Sequence, residues 1–307
     1  MQSFAEKFQA EHLAIDRKIG ASDSSNCVQL ETWTKALYAF TKALGSTAFG
    51  AVIVDYDGTL VDTESRSRGP SSATGAKLVQ FLEAGVLLGI ATGRGKSVRM
   101  ALERCIPSGL RHRVWIGYYN AGIVAPLSDS SIPVLSEDVV ESLREAVAVL
   151  ESNEQLRGLA KLTKRPLQIT IEADQTLGEG TIWNIVSSAL AARCSEPPKV
   201  VASSHSVDVL ATGVSKLNLV RFIKDNLGRD CAQEVLCIGD RGRWPGNDFE
   251  LLAQPYSLSV DDVSPDLTTC WNLASLGKRG PAAFLEYTDW MQLAPKAARM
   301  IIPTESS

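Results

Sequence analysis

The sequence predicts an α/β protein: a doubly wound, mainly parallel sheet, interrupted once by a small inserted α+β unit. Three observations predict it. Short apolar runs, Ala51-Val52-Ile53-Val54, Val86 to Ile90 and Val235 to Ile238, alternate with segments of helical periodicity, which implies a parallel sheet covered on both faces. Chemically capable residues stand directly behind those runs, where the carboxyl ends of such a sheet gather. The long interval between Arg94 and Lys216 carries its own succession of helix, two strands, helix and two strands, the pattern of a second, smaller α+β layer.

Taken in order, residues 1 to 45 mix charged and apolar residues at helical spacing, broken by Gly20-Ala21-Ser22-Asp23-Ser24-Ser25-Asn26, and read as a helical N-terminal extension. After the first strand, Ser71 to Glu83 reads as helix, Val86 to Ala91 as strand, Lys96 to Arg104 as helix and Val114 to Tyr119 as strand. The short interval from Asp55 to Thr92 leaves room for one crossover helix, so any large insertion comes later. Turn-rich Ser128-Asp129-Ser130-Ser131 marks its start. Within it, Glu137 to Leu150 and Thr181 to Arg193 read as helices, with strands on either side of Lys164-Arg165-Pro166 and at Lys199 to Ser203 and Val207 to Leu210. The expected division is a discontinuous main domain over 46–130 and 206–307 and an insertion over 131–205.

Composition restricts the class. With 307 residues, 45% of them hydrophobic, the chain can bury about two cores. No apolar stretch approaches the roughly 20 residues of a membrane helix, and Glu6, Lys7 and Glu11 at the start are foreign to a secretory signal. Six scattered cysteines without metal-binding spacing read as free thiols of a cytoplasmic protein. A net charge of −4 argues against nucleic acid as a partner.

Asp55-Tyr56-Asp57-Gly58-Thr59-Leu60-Val61 leaves the first apolar run with two carboxylates two positions apart. In an extended segment Asp55 and Asp57 point the same way and converge on one ligand, while Gly58 lets the chain turn away. Such a pair can hold a hard cation, attack an electrophile and move a proton. The plainer alternative is a strand end followed by an Asp-Gly turn. Thr92-Gly93 also fits an ordinary strand-to-helix turn, and Lys216 a solvated lysine opening a helix. Asp240 is harder to dismiss, because an acid at a buried strand end needs a partner. Gly95-Lys96-Ser97 does not complete a nucleotide phosphate-binding loop, since that motif needs glycine where Ile90 stands.

Asp55-Tyr56-Asp57-Gly58-Thr59, Ala91-Thr92-Gly93-Arg94, Lys216 in Gly213-Val214-Ser215-Lys216, and Gly239-Asp240 match in order and context the four motifs of one family. On these residues the chain resembles a phosphatase of the haloacid dehalogenase superfamily, of the Cof-like or sugar-phosphatase branch, over roughly residues 48 to 290. The resemblance implies a Rossmann-like core, a cap inserted between the second and third motifs, Mg²⁺ as cofactor and an aspartyl-phosphate intermediate. It makes Asp55 the nucleophile, Asp57 the general acid and base, Thr92 a donor to the phosphoryl oxygens and Lys216 a fixed positive charge. Asp55, the Asp57 carbonyl and Asp240 hold the metal in this scheme. The chemistry is coherent: a phosphate ester repels nucleophiles until cations neutralise its oxygens.

The fourth motif departs from the family pattern, because Asn247-Asp248 comes only after Arg241-Gly242-Arg243-Trp244-Pro245-Gly246. Asp248 is expected to support the metal and Asn247 to face the substrate, although either can turn toward the site. The intervening loop can clamp a second anion or stack on a ring, or form a surface turn whose Trp packs on a neighbouring helix. Gly93, Arg94, Asn120, Lys161, Arg165 and Asn247 are the candidate substrate contacts, with Tyr118, Tyr119, Lys164, His205, Arg66 and Arg68 beside them. For the aromatic pair the alternative is core packing, and for the basic residues solvated surface charge. The expected activity is Mg²⁺-dependent hydrolysis of a small phosphorylated metabolite, a sugar phosphate among the candidates. A nucleotide or nucleic-acid-end phosphatase, a phosphomutase and a non-catalytic phosphate-binding protein are the rivals.

Overall fold

The structure is a computed structural model and describes residues 4–22, 29–62, 68–132, 138–173 and 179–303. The chain begins with helices α1 (Phe4–Ala21) and α2 (Leu30–Ser46), followed by β1 (Ala48–Asp55), α3 (Ser72–Glu83), β2 (Leu87–Ala91), α4 (Lys96–Cys105), β3 (Val114–Gly117), the single turn α5 (Tyr118–Ala121) and β4 (Ile123–Pro126). Next come α6 (Glu141–Glu151), β5 (Ala160–Arg165), β6 (Gln168–Ala173), α7 (Glu179–Arg193), β7 (Lys199–Ala202) and β8 (Val207–Leu210). The remainder is α8 (Leu217–Asn226), β9 (Glu234–Arg241), α9 (Phe249–Leu252), β10 (Ser257–Asp262), α10 (Gly280–Asp289), β11 (Met291–Ala294) and β12 (Ala297–Met300).

The principal sheet runs β10-β9-β1-β2-β3-β4, with β12 joined antiparallel to the start of β1. From β10 to β3 the strands are parallel. Residues of β1 alternate between two covered faces. Val52 and Val54 pack with Leu37 and Leu44 of α2, Leu78 of α3 and Phe284 of α10, whereas Ala51 and Ile53 pack with Leu219, Val220 and Ile223 of α8. This period of two, apolar on both sides, is what a doubly wound sheet requires. The chain winds outward one way through β2 and β3 and the other way through β9 and β10. The reversal falls between β1 and β9, so Asp55 and Asp240 flank the place where such sheets bind ligands.

The N-terminal helices belong to this core. Lys18, fully buried, donates to the carbonyls of Ser264, Asp266 and Thr269 at 2.6–2.8 Å, and Arg17 donates to those of Asn272 and Ala274. Trp33 and Phe40 meet the Trp271 ring at centroid distances of 6.0 and 6.2 Å. Residues expected only to extend the chain thus clamp the loop that follows β10.

Two sequence expectations need correction. The third strand stops at Gly117 rather than Tyr119, because Tyr119, Asn120 and Ala121 adopt left-handed φ angles of 52°, 55° and 58°. That turn is held to the loop after β2 by Asn120 N–H donating to the Thr92 carbonyl and Tyr119 N–H to that of Arg94. The second sheet, β5-β6-β8-β7, is antiparallel and includes Val207–Leu210. The chain therefore leaves it after Leu210, not at the boundary of 206 expected. Its one face carries Ile169, Ile171, Val207 and Val209, packed with Leu143 and Leu150 of α6 and Val186 and Leu190 of α7. Its other face is polar.

Among the described residues no helix is long and apolar enough to cross a membrane, and Cys105, Cys194, Cys231, Cys237 and Cys270 are free. Cys27, part of the predicted break between the first helices and Arg66 lie outside the described residues.

Candidate active site

β1 delivers Asp55 at its end, and the next residues turn at once. Gly58 N–H donates to the Val61 carbonyl at 2.8 Å and Leu60 N–H to that of Tyr56. Gly58 takes φ of 85°, and a Cβ there would stand 2.1 Å from Asp240 Oδ2. Glycine is required twice over: for the left-handed backbone and for the close approach of Asp240. The neighbouring ends of β9 and α8 supply the rest. Lys216 Nζ, immediately before α8, donates to Asp55 Oδ1 and to Asp248 Oδ1, each at 2.6 Å. Asp248 Oδ2 accepts from the backbone N–H groups of Asp240 and Arg241 at 3.0 and 3.3 Å.

Asp55, Asp240, Asp248 and Lys216 are all buried, at most 5% exposed. Three carboxylates face one ammonium. Burial, and then the charge of Asp248, push Asp55 and Asp240 well above the usual carboxylate range. Burial acts on Asp248 in the same direction, but Lys216 and the hydrogen bonds it accepts hold it below that range. Lys216 is raised: desolvation lowers it, yet Asp248 and Asp55 together outweigh that. Lys216 bridges Asp55 and Asp248, and one ammonium against three buried carboxyl groups leaves the cluster in need of another cation. One oxygen each of Asp55, Asp240 and Asp248 lie within 4.8 Å of one another, and Asp55 Oδ2 is buried without a hydrogen-bond partner. An all-oxygen donor set with an orphaned carboxylate oxygen fits a hard divalent cation. Of Asn247 and Asp248, it is Asp248 that joins the cluster, while Asn247 lines the cavity above it.

Above this cluster lies a cavity of about 350 Å³ between the two sheets. Of the residues singled out from sequence, Asp55, Asp57, Gly93, Arg94, Lys161, Arg165 and Asn247 line it, and His205 joins them. Arg94 Nη1 donates to Asp57 Oδ1 at 3.2 Å. Thr92 is buried behind the wall, its Oγ1 accepting from the Arg94 N–H at 3.0 Å. Asn120 also lies one layer back, donating to Gln168 Oε1 and Asp208 Oδ2 at 2.9 and 3.3 Å. Lys164 is paired with Glu151 instead, and Arg68 lines a separate cleft between α3 and α4.

Gln168, Thr170 and Asp208 line the cavity as well and were not anticipated. A signal existed: Gln168, Thr170 and Glu172 alternate with Ile169 and Ile171, which marks a strand with one polar face. Nothing local, however, said that this face would meet Gly93.

Arg241, Arg243 and Trp244 of the long loop after Asp240 do not line the cavity. Arg241 pairs with Asp262 at 2.9 Å. Trp244 packs edge-on against Trp183 of α7 and Phe249. Ala202 N–H donates to the Pro245 carbonyl and Asn247 N–H to that of Ala202, while Lys199 Nζ reaches Glu250 at 2.6 Å. The extra residues dock the second domain on the first.

No family model matches the sequence, and no curated protein matches it. Solved structures do resemble the fold. An IMP-bound Plasmodium falciparum IMP-nucleotidase mutant aligns at 12% identity and TM-score 0.57, covering 92% of this chain and 76% of its own. The C-terminal domain of C. albicans trehalose-6-phosphate phosphatase aligns at 16% and 0.55, covering 83% and 94%, and the Synechocystis sucrose-phosphatase in complex with sucrose and phosphate at 19% and 0.52, covering 77% and 95%. With its parallel sheet reversing between β1 and β9, its motif residues at that reversal and an antiparallel cap sheet entering after β4, this chain has a fold similar to that of these solved structures.

Proposed function

We propose that the chain is a Mg²⁺-dependent phosphomonoester hydrolase that acts on a small phosphorylated metabolite through an aspartyl-phosphate on Asp55. The observation that carries this reading is the convergence of Asp55, Lys216, Asp240 and Asp248, from four separate segments, beneath a cavity roofed by a polar sheet. Two of the similar folds belong to phosphatases of sugar phosphates, which supports the same substrate class here.

Mg²⁺ would be held by Asp55, Asp240, Asp248 and the Asp57 carbonyl, and when bound it supplies positive charge to the phosphoryl oxygens. The chain's own groups then divide the work. Lys216 fixes the Asp55 carboxylate through Oδ1, leaving the other oxygen to attack phosphorus as the ester oxygen departs. Asp57 gives that oxygen a proton, and in the second half takes one from the water that cleaves the acyl phosphate. Arg94 donates to Asp57 Oδ1, which orients the carboxyl so that its other oxygen can carry the proton, and Arg94 also offers charge to the phosphoryl group. Backbone N–H groups of the loop after β2, which Thr92 Oγ1 braces from behind the wall, complete the oxygen-binding shell, and the cap shields the acyl phosphate while selecting the alcohol.

Mg²⁺-dependent release of inorganic phosphate from a panel of sugar monophosphates and an aryl phosphate tests this, with loss on chelation expected. Absence of release from every ester would sink it. Cation binding also has a readout without turnover: Mg²⁺ at 100 times its Kd stabilises the protein by about 2.7 kcal/mol, a rise of several degrees in Tm. Asp240→Asn is expected to lose most of that rise.

A further inference from the structure

Individual hydrogen-bond acceptors in the cavity wall are buried without a partner. Asp208, on β8, is only 4% exposed and lines the cavity. Its Oδ2 accepts from Asn120, but its Oδ1 is buried without a partner. Asn247 Oδ1, on the core side of the same cavity, is likewise buried and unpartnered. Of the neighbouring donors, the Gln168 amide N–H groups go to the Gly93 carbonyl and Thr170 Oγ1, at 3.2 and 2.8 Å. A buried acceptor without a donor is unfavourable until something supplies one. Phosphate cannot, since it brings acceptors. Burial pushes Asp208 up to about 6, a shift that its polar neighbours Thr170, Asn120 and Gln168 oppose.

We propose that Asp208 is the specificity-determining residue of this site, its free oxygen accepting hydroxyl hydrogens from the alcohol half of the ester, so that the substrate is a phosphorylated polyol of monosaccharide size. This rests on the phosphomonoester reading of the site and adds to it which atoms read the leaving group. Among the described residues lining the cavity none is Phe, Tyr or Trp, and a nucleobase would find only His205 and the guanidinium groups of Arg94 and Arg165 to stack on. The position of Asp208 is set by rigid neighbours: β6 and β7 pair with β8 on both sides, and Asn120 is fixed in its left-handed turn.

The test compares kcat/KM for a hexose monophosphate with that for phenyl phosphate, whose leaving group offers no hydroxyl beyond the ester oxygen. Asp208→Asn is expected to lower the hexose-to-phenyl ratio about tenfold or more, the usual worth of a hydrogen bond to a charged group; a ratio within twofold of wild type overturns the proposal. Wild-type enzyme with deoxy-hexose phosphates probes the same contact without any variant. Loss of at least fivefold for one or more deoxy analogues is expected, and equal turnover of all of them, or a preference for nucleoside monophosphates, overturns it. A binding arm in the Asp55→Asn background, measuring Kd for hexose phosphate and phenyl phosphate by calorimetry with and without Asp208→Asn, needs no turnover. Wild type that hydrolyses nothing while Asp208→Asn still shifts the Kd ratio would refute the hydrolase and leave the hydroxyl recognition standing.

Discussion

Asp55→Asn is expected to lower kcat by roughly 10⁴-fold or more, because it removes the nucleophile and no other carboxylate of the cluster faces the cavity as Asp55 does. The same substitution is expected to leave the fold intact, and in the absence of divalent cation to raise its stability. Asparagine is isosteric and its Oδ1 can still accept from Lys216, while one buried negative charge disappears. The sign follows from the direction of the pKa shift. Burial and Asp248 raise Asp55 in the folded state, so the folded protein holds the proton more tightly than the unfolded chain does. Wild-type stability is therefore fullest below the ordinary carboxylate pKa and declines as pH rises from there toward the raised value. The advantage of Asp55→Asn over wild type should open across that window and persist at neutral pH. Phosphate release and thermal melting on the same samples check both halves. Turnover within about tenfold of wild type by the variant would remove Asp55 from the mechanism, and a lowered Tm would show that its charge is structural.

Lys216→Met is expected to destabilise the protein by about 3–5 kcal/mol, the usual cost of removing one member of a buried ion pair, and to abolish turnover. The lysine side chain is 1% exposed and touches two carboxylates at 2.6 Å; without it Asp55, Asp240 and Asp248 lose the charge that bridges two of them. Arginine is no remedy, because a planar guanidinium needs room and five partners that this enclosed point-charge site does not offer. Adding Asp248→Asn to Lys216→Met should recover part of the loss, since the partner charge goes too, giving a coupling energy well beyond the roughly 0.5 kcal/mol scatter of independent sites. Mg²⁺ should narrow the deficit of the single variant. Urea unfolding with and without the cation measures all of these, and a loss below about 1 kcal/mol for Lys216→Met would mean that the lysine is solvated in a way its burial denies.

The four motifs are legible because each is local. Asp55 and Asp57 follow one apolar run, Thr92 a second and Asp240 a third, and strands of a parallel sheet bring their carboxyl ends to one edge whatever lies between. The cap is legible as a succession of elements for the same reason. Arg94, Lys161 and Arg165 stand out by charge, and the structure does place them on the cavity. Asn120 reads as the end of a strand, but its reach toward Gln168 and Asp208 depends on three consecutive left-handed residues that no local pattern announces.

What the sequence determined by itself was the parallel sheet, its inserted layer and the identity of the groups at its edge, since periods of two and of 3.6 residues and the residue behind each strand are properties of neighbours in the chain. Tertiary structure alone decided the rest. It turned Asp248 rather than Asn247 onto Lys216, made the Arg241–Gly246 loop a dock for β7 and α7, drew α1 and α2 into the main core and aimed the polar side of β6 and β8 at Asp55. Each of those outcomes depends on which of two surfaces, distant in the chain, come to bury one another, and a one-dimensional pattern records that a face is apolar or polar without naming its partner.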